Sequence, residues 1–381
     1  MKVLFMIPTL SVGGAEKVLV NLVNSMDKEK FDITVMSLFD GGVNKQFLSK
    51  NVKYVSCFKY QIRGNSHIFK LFSPQRLYRN LIKDRYDVIV SYLEGPTARI
   101  VSGCPYLDCK IVSWIHCTMH NKKEFSVGFR NYGEAKICYE RFDKSIFVSN
   151  EVKINFLEFC KCDDRSDVIY NTNQSEKIIA LSKEEITELY FKDQNSVKLC
   201  VVGKVIPVKG IDRLARIHKK LLNEGYNIQT FVLGVGSQQT EIQKYVEQEK
   251  FENSFHFMGY QTNPYKYVRN CDLFVCSSLS EGFSTAATES LIVGTPVITT
   301  RVSGMKELLG ENEFGFITEN NEEALYKGIK YLLDNPLVLN IYKKRASTRG
   351  TVFKTENTVA MVEKMLVDLV EKNEYIEKND I

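Results

Sequence analysis

The chain has 381 residues, too many for one typical hydrophobic core, so two domains are expected. Apolar and charged fractions of 44% and 25% are ordinary for a globular protein, and with no run of 18 uncharged apolar residues no membrane-spanning helix is expected. The net charge of +5 is uneven: residues 1–173 carry 25 Lys and Arg against 18 Asp and Glu, whereas residues 174–381 carry 26 against 28.

In chain order, Met1–Pro8 holds a short apolar run without a small-residue cleavage site and reads as a first strand, not a signal peptide. Ser11-Val-Gly13-Gly14-Ala-Glu16 leads into a helical pattern over Ala15–Met26, where Val18, Leu19, Leu22, Val23 and Met26 share one face. Strand-like runs follow at Ile33–Ser37, Val88–Ser91, Ile111–Ile115, Ser145–Val148 and Val168–Tyr170. Residues 53–85 set Lys53, Lys59, Arg63, Lys70, Arg76, Arg79, Lys83 and Arg85 against the single acid Asp84. Phe58, Tyr60, Ile62, Ile68, Phe69, Leu71, Phe72, Leu77 and Tyr78 interleave with them. This pattern suits an anionic membrane surface, or a solvated basic face over core residues. No nucleic-acid motif accompanies it, and nucleic acid is not expected as a partner.

The polar stretch Thr172–Asn195 is a candidate linker. Beyond it, strand-like runs at Leu199–Val202, Gln229–Leu233, Ser254–Met258, Leu273–Cys276 and Val297–Thr300 alternate with helical patterns at Ile211–Leu222, Gln239–Gln248, Asn263–Asn270 and Thr285–Val293. Alternation of this kind implies parallel sheets covered by helices. The fold expected is α/β, with two doubly wound, Rossmann-like domains facing a cleft in which ligands meet strand carboxyl ends. The boundaries read as 1–173, a linker over 174–195, a second domain over 196–354 and a C-terminal helical segment over 355–381. The ten cysteines contain no C-x-x-C pair, and Cys200 and Cys276 lie inside apolar runs, so free thiols in a reducing cytoplasm are expected.

Several motifs fall at the ends of these strands. Gly13 and Gly14 precede a helix start, where free amides and the dipole favour an anion, although a plain tight turn explains them as well. His116 follows Ile111–Ile115 and reads as a hydrogen-bond partner for substrate or as a histidine satisfied within the fold. Gly203-Lys204-Val-Ile-Pro-Val-Lys209-Gly210 places two lysines about a turn, suited to a diphosphate or to plain solvent exposure. In Glu281-Gly-Phe-Ser-Thr-Ala-Ala-Thr-Glu289, one carboxylate stands on a loop and a second on the helix that follows. Amides of that helix start suit phosphates, and the carboxylates suit sugar hydroxyls.

The ordered series Gly13–Glu16, Gly203–Gly210, Leu233–Gly236, Phe257–Tyr260, Glu281–Glu289 and Gly294–Ile298 resembles the retaining GT-B glycosyltransferases over most of the chain. The resemblance implies a nucleotide-sugar donor, UDP-linked by family prior, held mainly by the second domain. Glu289 would accept from the ribose hydroxyls, and Glu281 would face the donor sugar. Amides around Phe283, Ser284 and Thr285 would hold sugar or diphosphate. Lys204 and Lys209 would neutralise the leaving diphosphate, and the Gly13–Gly14 loop would close over the phosphates. His116 would touch the sugar, and Gly234, Gly236, Met258 and Tyr260 would surround the base. No cofactor and no obligatory metal is implied. The Lys204 position carries arginine in many members, and Ser284 stands where glycine or proline is common, so its side chain is expected to narrow the donor site.

The implied reaction moves a hexosyl or N-acetylhexosaminyl group to a glycan acceptor, lipid-linked, in capsule, O-antigen or related polysaccharide synthesis. The expected location is cytoplasmic and peripheral at the inner membrane face. Two other readings stay open: a non-catalytic partner of a glycosyltransferase, and a sugar-nucleotide epimerase on the same architecture. The C-terminal segment, with apolar Val359, Met361, Val362, Met365, Leu366 and Leu369, is expected to cross back onto the first domain.

Overall fold

In the computed structural model, strands and helices alternate along the chain, and every pairing among the described strands is parallel. The structure describes residues 1–377 apart from 12, 61–64, 189, 190, 192 and 194. It divides into two units, Met1–Asn173 with Thr355–Ile381, and Gln174–Lys354.

The first unit contains β1 (Lys2–Ile7), β2 (Asp32–Phe39), β3 (Lys53–Phe58), β4 (Val88–Ser91), β5 (Lys110–Ile115), β6 (Lys144–Phe147) and β7 (Ser166–Val168). They lie in the order β3-β2-β1-β4-β5-β6-β7. The second contains β8 (Val197–Val202), β9 (Ile228–Leu233), β10 (Phe255–Gly259), β11 (Leu273–Cys276), β12 (Val297–Thr300) and β13 (Phe316–Thr318), in the order β10-β9-β8-β11-β12-β13. In each sheet the strand order reverses once, between β1 and β4 and between β8 and β11. Loops leaving adjacent carboxyl ends diverge there, and that is where ligands of doubly wound sheets bind.

Inner strands are apolar on both faces because helices cover both: Leu4, Phe5 and Met6 in β1, and Leu199, Phe274 and Val275 in β8 and β11, are buried. The helix Ile211–Asn223 turns Ile211, Leu214, Ile217 and Leu221 into the same core as Val201, Val232 and Val275. His218 shares that buried face. Its ring nitrogens meet Thr230 Oγ1 and Ser254 Oγ, both at 2.8 Å, and burial pulls its pKa down to about 3. All ten cysteines are free thiols, and eight are buried.

The C-terminal helix Thr355–Glu377 belongs to the first unit. Val359, Val362, Met365 and Leu366 are buried, while Met361 is exposed. Glu363 Oε1 accepts from the Asp27 amide at 2.7 Å, and Thr355 Oγ1 donates to the Asn173 carbonyl at 2.6 Å.

Structure and sequence reading differ at the edges. β3 and β13 are additional strands, and β7 begins two residues before the run assigned to it. Within the stretch 174–195, Ser175–Leu181 is helical and buries Ile178 in the second unit. In the basic stretch, Phe69, Leu77 and Tyr78 enter the core, and Phe58, Tyr60, Ile68 and Leu71 stay exposed. Ile62 and Arg63 lie outside the described residues.

Candidate active site

β8 and β11 are hydrogen-bonded neighbours, with Leu199 opposite Leu273, so the loops after Val202 and Cys276 emerge side by side. Backbone contacts fix the two loops together. Leu279 N donates to Val208 O at 2.7 Å, and Ser277 Oγ donates to Lys209 O at 2.9 Å. Gly210 makes this approach possible: its φ is +58°, and a Cβ would stand 2.2 Å from the Ser277 carbonyl oxygen.

The side chains meet as closely as the backbones. Lys209 Nζ lies 2.5 Å from Glu281 Oε1, and Ser278 Oγ donates to the same oxygen at 2.6 Å. Glu281 Oε2 has no partner among the described residues, and the glutamate side chain is 11% exposed against 29% for the lysine. The lysine expected on phosphate and the glutamate expected on sugar thus form one charge pair. Lys204 is separate: it is exposed and has no acidic partner among the described residues.

Ser284 caps the helix Thr285–Ile292, its Oγ accepting from Ala287 N at 3.3 Å. The Ser284 hydroxyl is thereby turned onto the helix start. Amides of the first turn, those of Thr285 and Ala286, have no carbonyl of their own helix to meet and suit an anion. Phe283 is buried and packs its ring 6.1 Å from that of Phe353. Glu289, one turn along the helix, is buried at 6% exposure, and Tyr265 donates its hydroxyl to Glu289 Oε1 at 3.3 Å.

Beside β8, the loop after β9 is tied to the Gly203–Val205 loop by backbone hydrogen bonds. Val205 N donates to Val235 O at 3.0 Å, and Gln238 N donates to Val205 O at 3.0 Å. A Cβ at Gly234 would fall 1.8 Å from the Gly203 carbonyl oxygen, and one at Gly236 would fall 2.2 Å from that of Val205. Met258 and Tyr260 flank the end of β10. Tyr260 is exposed, and Met258 O accepts from Gln261 Nε2 at 2.6 Å.

In the first unit, Gly13 is extended, with φ −160°, at the start of the helix Gly14–Ser25. Any residue adopts that backbone, so strain is not what places a glycine there. Ser11 Oγ donates to Glu16 Oε1 at 3.2 Å across this turn. His116 follows β5. Its amide donates to Glu94 Oε2 at 3.1 Å, and the Cys117 thiol donates to Glu94 Oε1 at 2.6 Å. Its ring packs 4.9 Å from the Tyr92 ring and 6.5 Å from the Trp114 ring. Burial pulls its pKa down to about 3, so the imidazole is neutral at pH 7. Nε2 is buried without a partner among the described residues, as are Tyr92 Oη and Trp114 Nε1. A neutral ring donating from one nitrogen offers an acceptor at the other.

Residues 182–350 match the family described as Glycosyl transferases group 1, and residues 12–172 match Glycosyltransferase Family 4. Between them they take in all the strands of the second unit and all but β1 of the first. The chain belongs to the GT-B glycosyltransferases. Anabaena HepE, solved in complex with UDP, shares the fold of this chain, with a TM-score of 0.76 at 18% identity over 97% of this chain and 100% of that one. Sucrose-phosphate synthase of Thermosynechococcus elongatus superposes with a TM-score of 0.78 at 14% identity, over 98% and 100%. In sequence, the chain is 25% identical to a Campylobacter jejuni enzyme over 91% of this chain and 93% of that one. That relative is named N-acetylgalactosamine-N,N'-diacetylbacillosaminyl-diphospho-undecaprenol 4-alpha-N-acetylgalactosaminyltransferase.

Sequence reasoning missed Ser278, Tyr265 and Glu94, which hold Glu281, Glu289 and the His116 amide. Ser278 was accessible from its spacing, three residues before Glu281 on the same loop. Tyr265 and Glu94 come from other strands' loops and carry no local signal.

Proposed function

We propose that this glycosyltransferase moves an N-acetylhexosamine or hexose from a UDP-sugar to a lipid-linked glycan, keeping the anomeric configuration. The observation that carries this reading is the Lys209–Glu281–Ser278 cluster at the adjacent ends of β8 and β11, beside the start of the helix Thr285–Ile292. Lys209, Lys204 and the helix amides are suited to the leaving diphosphate, Glu281 Oε2 to a hydroxyl of the donor sugar, and Glu289 to the ribose. The loops holding Gly234, Gly236, Met258 and Tyr260 supply backbone groups for the base. The Campylobacter relative and the UDP-bound HepE structure support a lipid-linked acceptor and a UDP donor.

In the proposed step, the bond from the anomeric carbon to the diphosphate oxygen breaks as the acceptor oxygen bonds to the same face. The acceptor's proton passes to the departing phosphate oxygen, and UDP leaves with its charge met by Lys209. Glu281 orients the sugar and forms no covalent bond; a trapped glycosyl–Glu281 adduct would contradict this.

For the acceptor, the first unit exposes Phe58, Tyr60, Ile68 and Leu71 beside Lys59, Arg76 and Arg79, a composition that suits an anionic membrane surface. No helix among the described residues is long and apolar enough to cross a membrane. Peripheral attachment at the inner membrane face is therefore part of the proposal.

The test is a panel of UDP-, GDP- and ADP-sugars, read by thermal shift and by release of free sugar. Stabilisation by several degrees with one UDP-sugar, with slow hydrolysis of it, is expected. No shift with any nucleotide in folded protein would reject the donor assignment and favour a non-catalytic partner role.

A further inference from the structure

Arg213 stands on the core face of the helix Ile211–Asn223 and is only 5% exposed, among Ile211, Leu214 and Ile217. Among the described residues no carboxylate pairs with it. Its donors go to neutral acceptors: Nε to Ser277 O at 2.7 Å, Nη2 to Ser278 O at 2.7 Å and to Thr300 Oγ1 at 3.3 Å, and both terminal nitrogens to Asn320 Oδ1 at 3.1 Å. Thr300 Oγ1 adds a bond to Ser278 O at 2.6 Å, and Asn320 Nδ2 one to Leu279 O at 2.9 Å. Three successive carbonyls at the end of β11 are thereby fixed from one side.

Desolvating a cation is costly, and packed apolar side chains usually fill such space with no loss of stability. What the guanidinium holds is the relevant fact. Ser277 and Ser278, whose carbonyls it binds, use their hydroxyls on Lys209 O and Glu281 Oε1. The lack of a side chain at Gly210 keeps the path open, since a Cβ there would stand 2.8 Å from Arg213 Nε as well as against Ser277 O. The chain of contacts runs from one buried cation through two serines to both members of the charge pair.

We infer that Arg213 is a positioning residue of the transfer site, setting the two loops so that Lys209 and Glu281 meet the reacting sugar diphosphate in register. The inference rests on the assignment of Lys209 and Glu281 to the transfer. Arg213 itself touches no substrate. Its planar five-donor fork matches acceptors spread over the loop after β11, the end of β12 and the segment after β13, which an ammonium cannot do.

The experiment measures kcat, KM and UDP affinity for Arg213→Lys and for Thr300→Val, each alone and combined with Glu281→Gln, using UDP-N-acetylgalactosamine and UDP-glucose as donors. Thr300→Val keeps the side-chain shape and removes one of the bonds to Ser278 O, so it reports even if Arg213→Lys does not fold. Misplacement of a reacting group by about 1 Å lowers rate by up to roughly 100-fold. The expected result is a kcat loss of about 10- to 100-fold for Arg213→Lys and several-fold for Thr300→Val, with UDP affinity within about threefold of wild type, the losses vanishing in the Glu281→Gln background. Unchanged kcat in the folded variants, or equal losses with and without Glu281, would overturn the role of Arg213. Normal turnover by Glu281→Gln alone would instead overturn the assignment of the charge pair.

Discussion

Lys209 Nζ and Glu281 Oε1 are 2.5 Å apart, so the lysine that we propose meets the leaving diphosphate is already paired with a carboxylate. A diphosphate must compete with that carboxylate for the ammonium. Glu281→Gln removes the competitor and leaves Lys209 uncompensated. UDP should then bind as tightly as to wild type or more tightly, while sugar transfer falls by at least about 100-fold, as when a group that meets developing charge is removed. Calorimetric UDP affinity set beside kcat checks both arms.

Glu289 is buried, with one oxygen held by the Tyr265 hydroxyl. On the proposed role it accepts from the ribose as a carboxylate. Hydrogen bonds to charged groups contribute about 1.5–3 kcal/mol, so Glu289→Gln should weaken UDP binding by about 10- to 100-fold. The loss should shrink for 2′,3′-dideoxy-UDP, which lacks the hydroxyls.

His116 is neutral down to about pH 3, because burial disfavours its charged form. Its folded pKa is depressed, so in the folded state it takes up no proton between pH 5 and 8. The rate–pH profile should therefore show no limb near 6.5 attributable to it. His116→Asn, which keeps an acceptor oxygen, should retain more activity than His116→Ala, with kcat/KM for donor hydrolysis as the readout.

His218 makes the same physics a matter of stability. Its folded pKa of about 3 lies below the unfolded value near 6.5, so the unfolded chain binds the extra proton. Its contribution is complete above pH 6.5 and declines as pH falls toward 3. Between pH 7 and 5 the loss should be about 2 kcal/mol, at 1.36 kcal/mol per pH unit below 6.5. His218→Gln retains hydrogen-bonding groups without titrating, and urea unfolding across this range should show a flatter acid limb.

Lys70, Arg76 and Arg79 flank the exposed Ile68 and Leu71. Basic residues near an anionic surface contribute about 1 kcal/mol each, so changing all three to Glu should reduce binding to phosphatidylglycerol vesicles by at least about 100-fold. Cosedimentation measures this, and binding to phosphatidylcholine alone should be weak for both proteins.

What the sequence made legible follows burial. Leu273–Cys276 and Val297–Thr300, apolar because helices cover both sheet faces, read correctly to the residue. β3 and β13 escaped notice because they are edge strands: β3 mixes exposed and half-buried residues, none of them fully buried, inside a basic stretch, and β13 is three residues long. The site divides in the same manner. Glu281, Glu289 and Lys209 announce themselves by position in strand–loop–helix segments, but their pairing does not, because Lys209 and Glu281 meet only through the β8–β11 neighbour relation. Arg213 did leave a signal, a charged residue on a helix face otherwise read by Ile211, Leu214, Ile217 and Leu221.

The most direct test of the charge pair as the centre of transfer compares wild type with Lys209→Ala on the UDP-sugar that the donor panel identifies, measuring binding and single-turnover sugar release together. Lost stabilisation of the leaving diphosphate should slow release by about 10²- to 10³-fold while the donor still binds within roughly tenfold. Near-normal release by the folded variant would contradict the account.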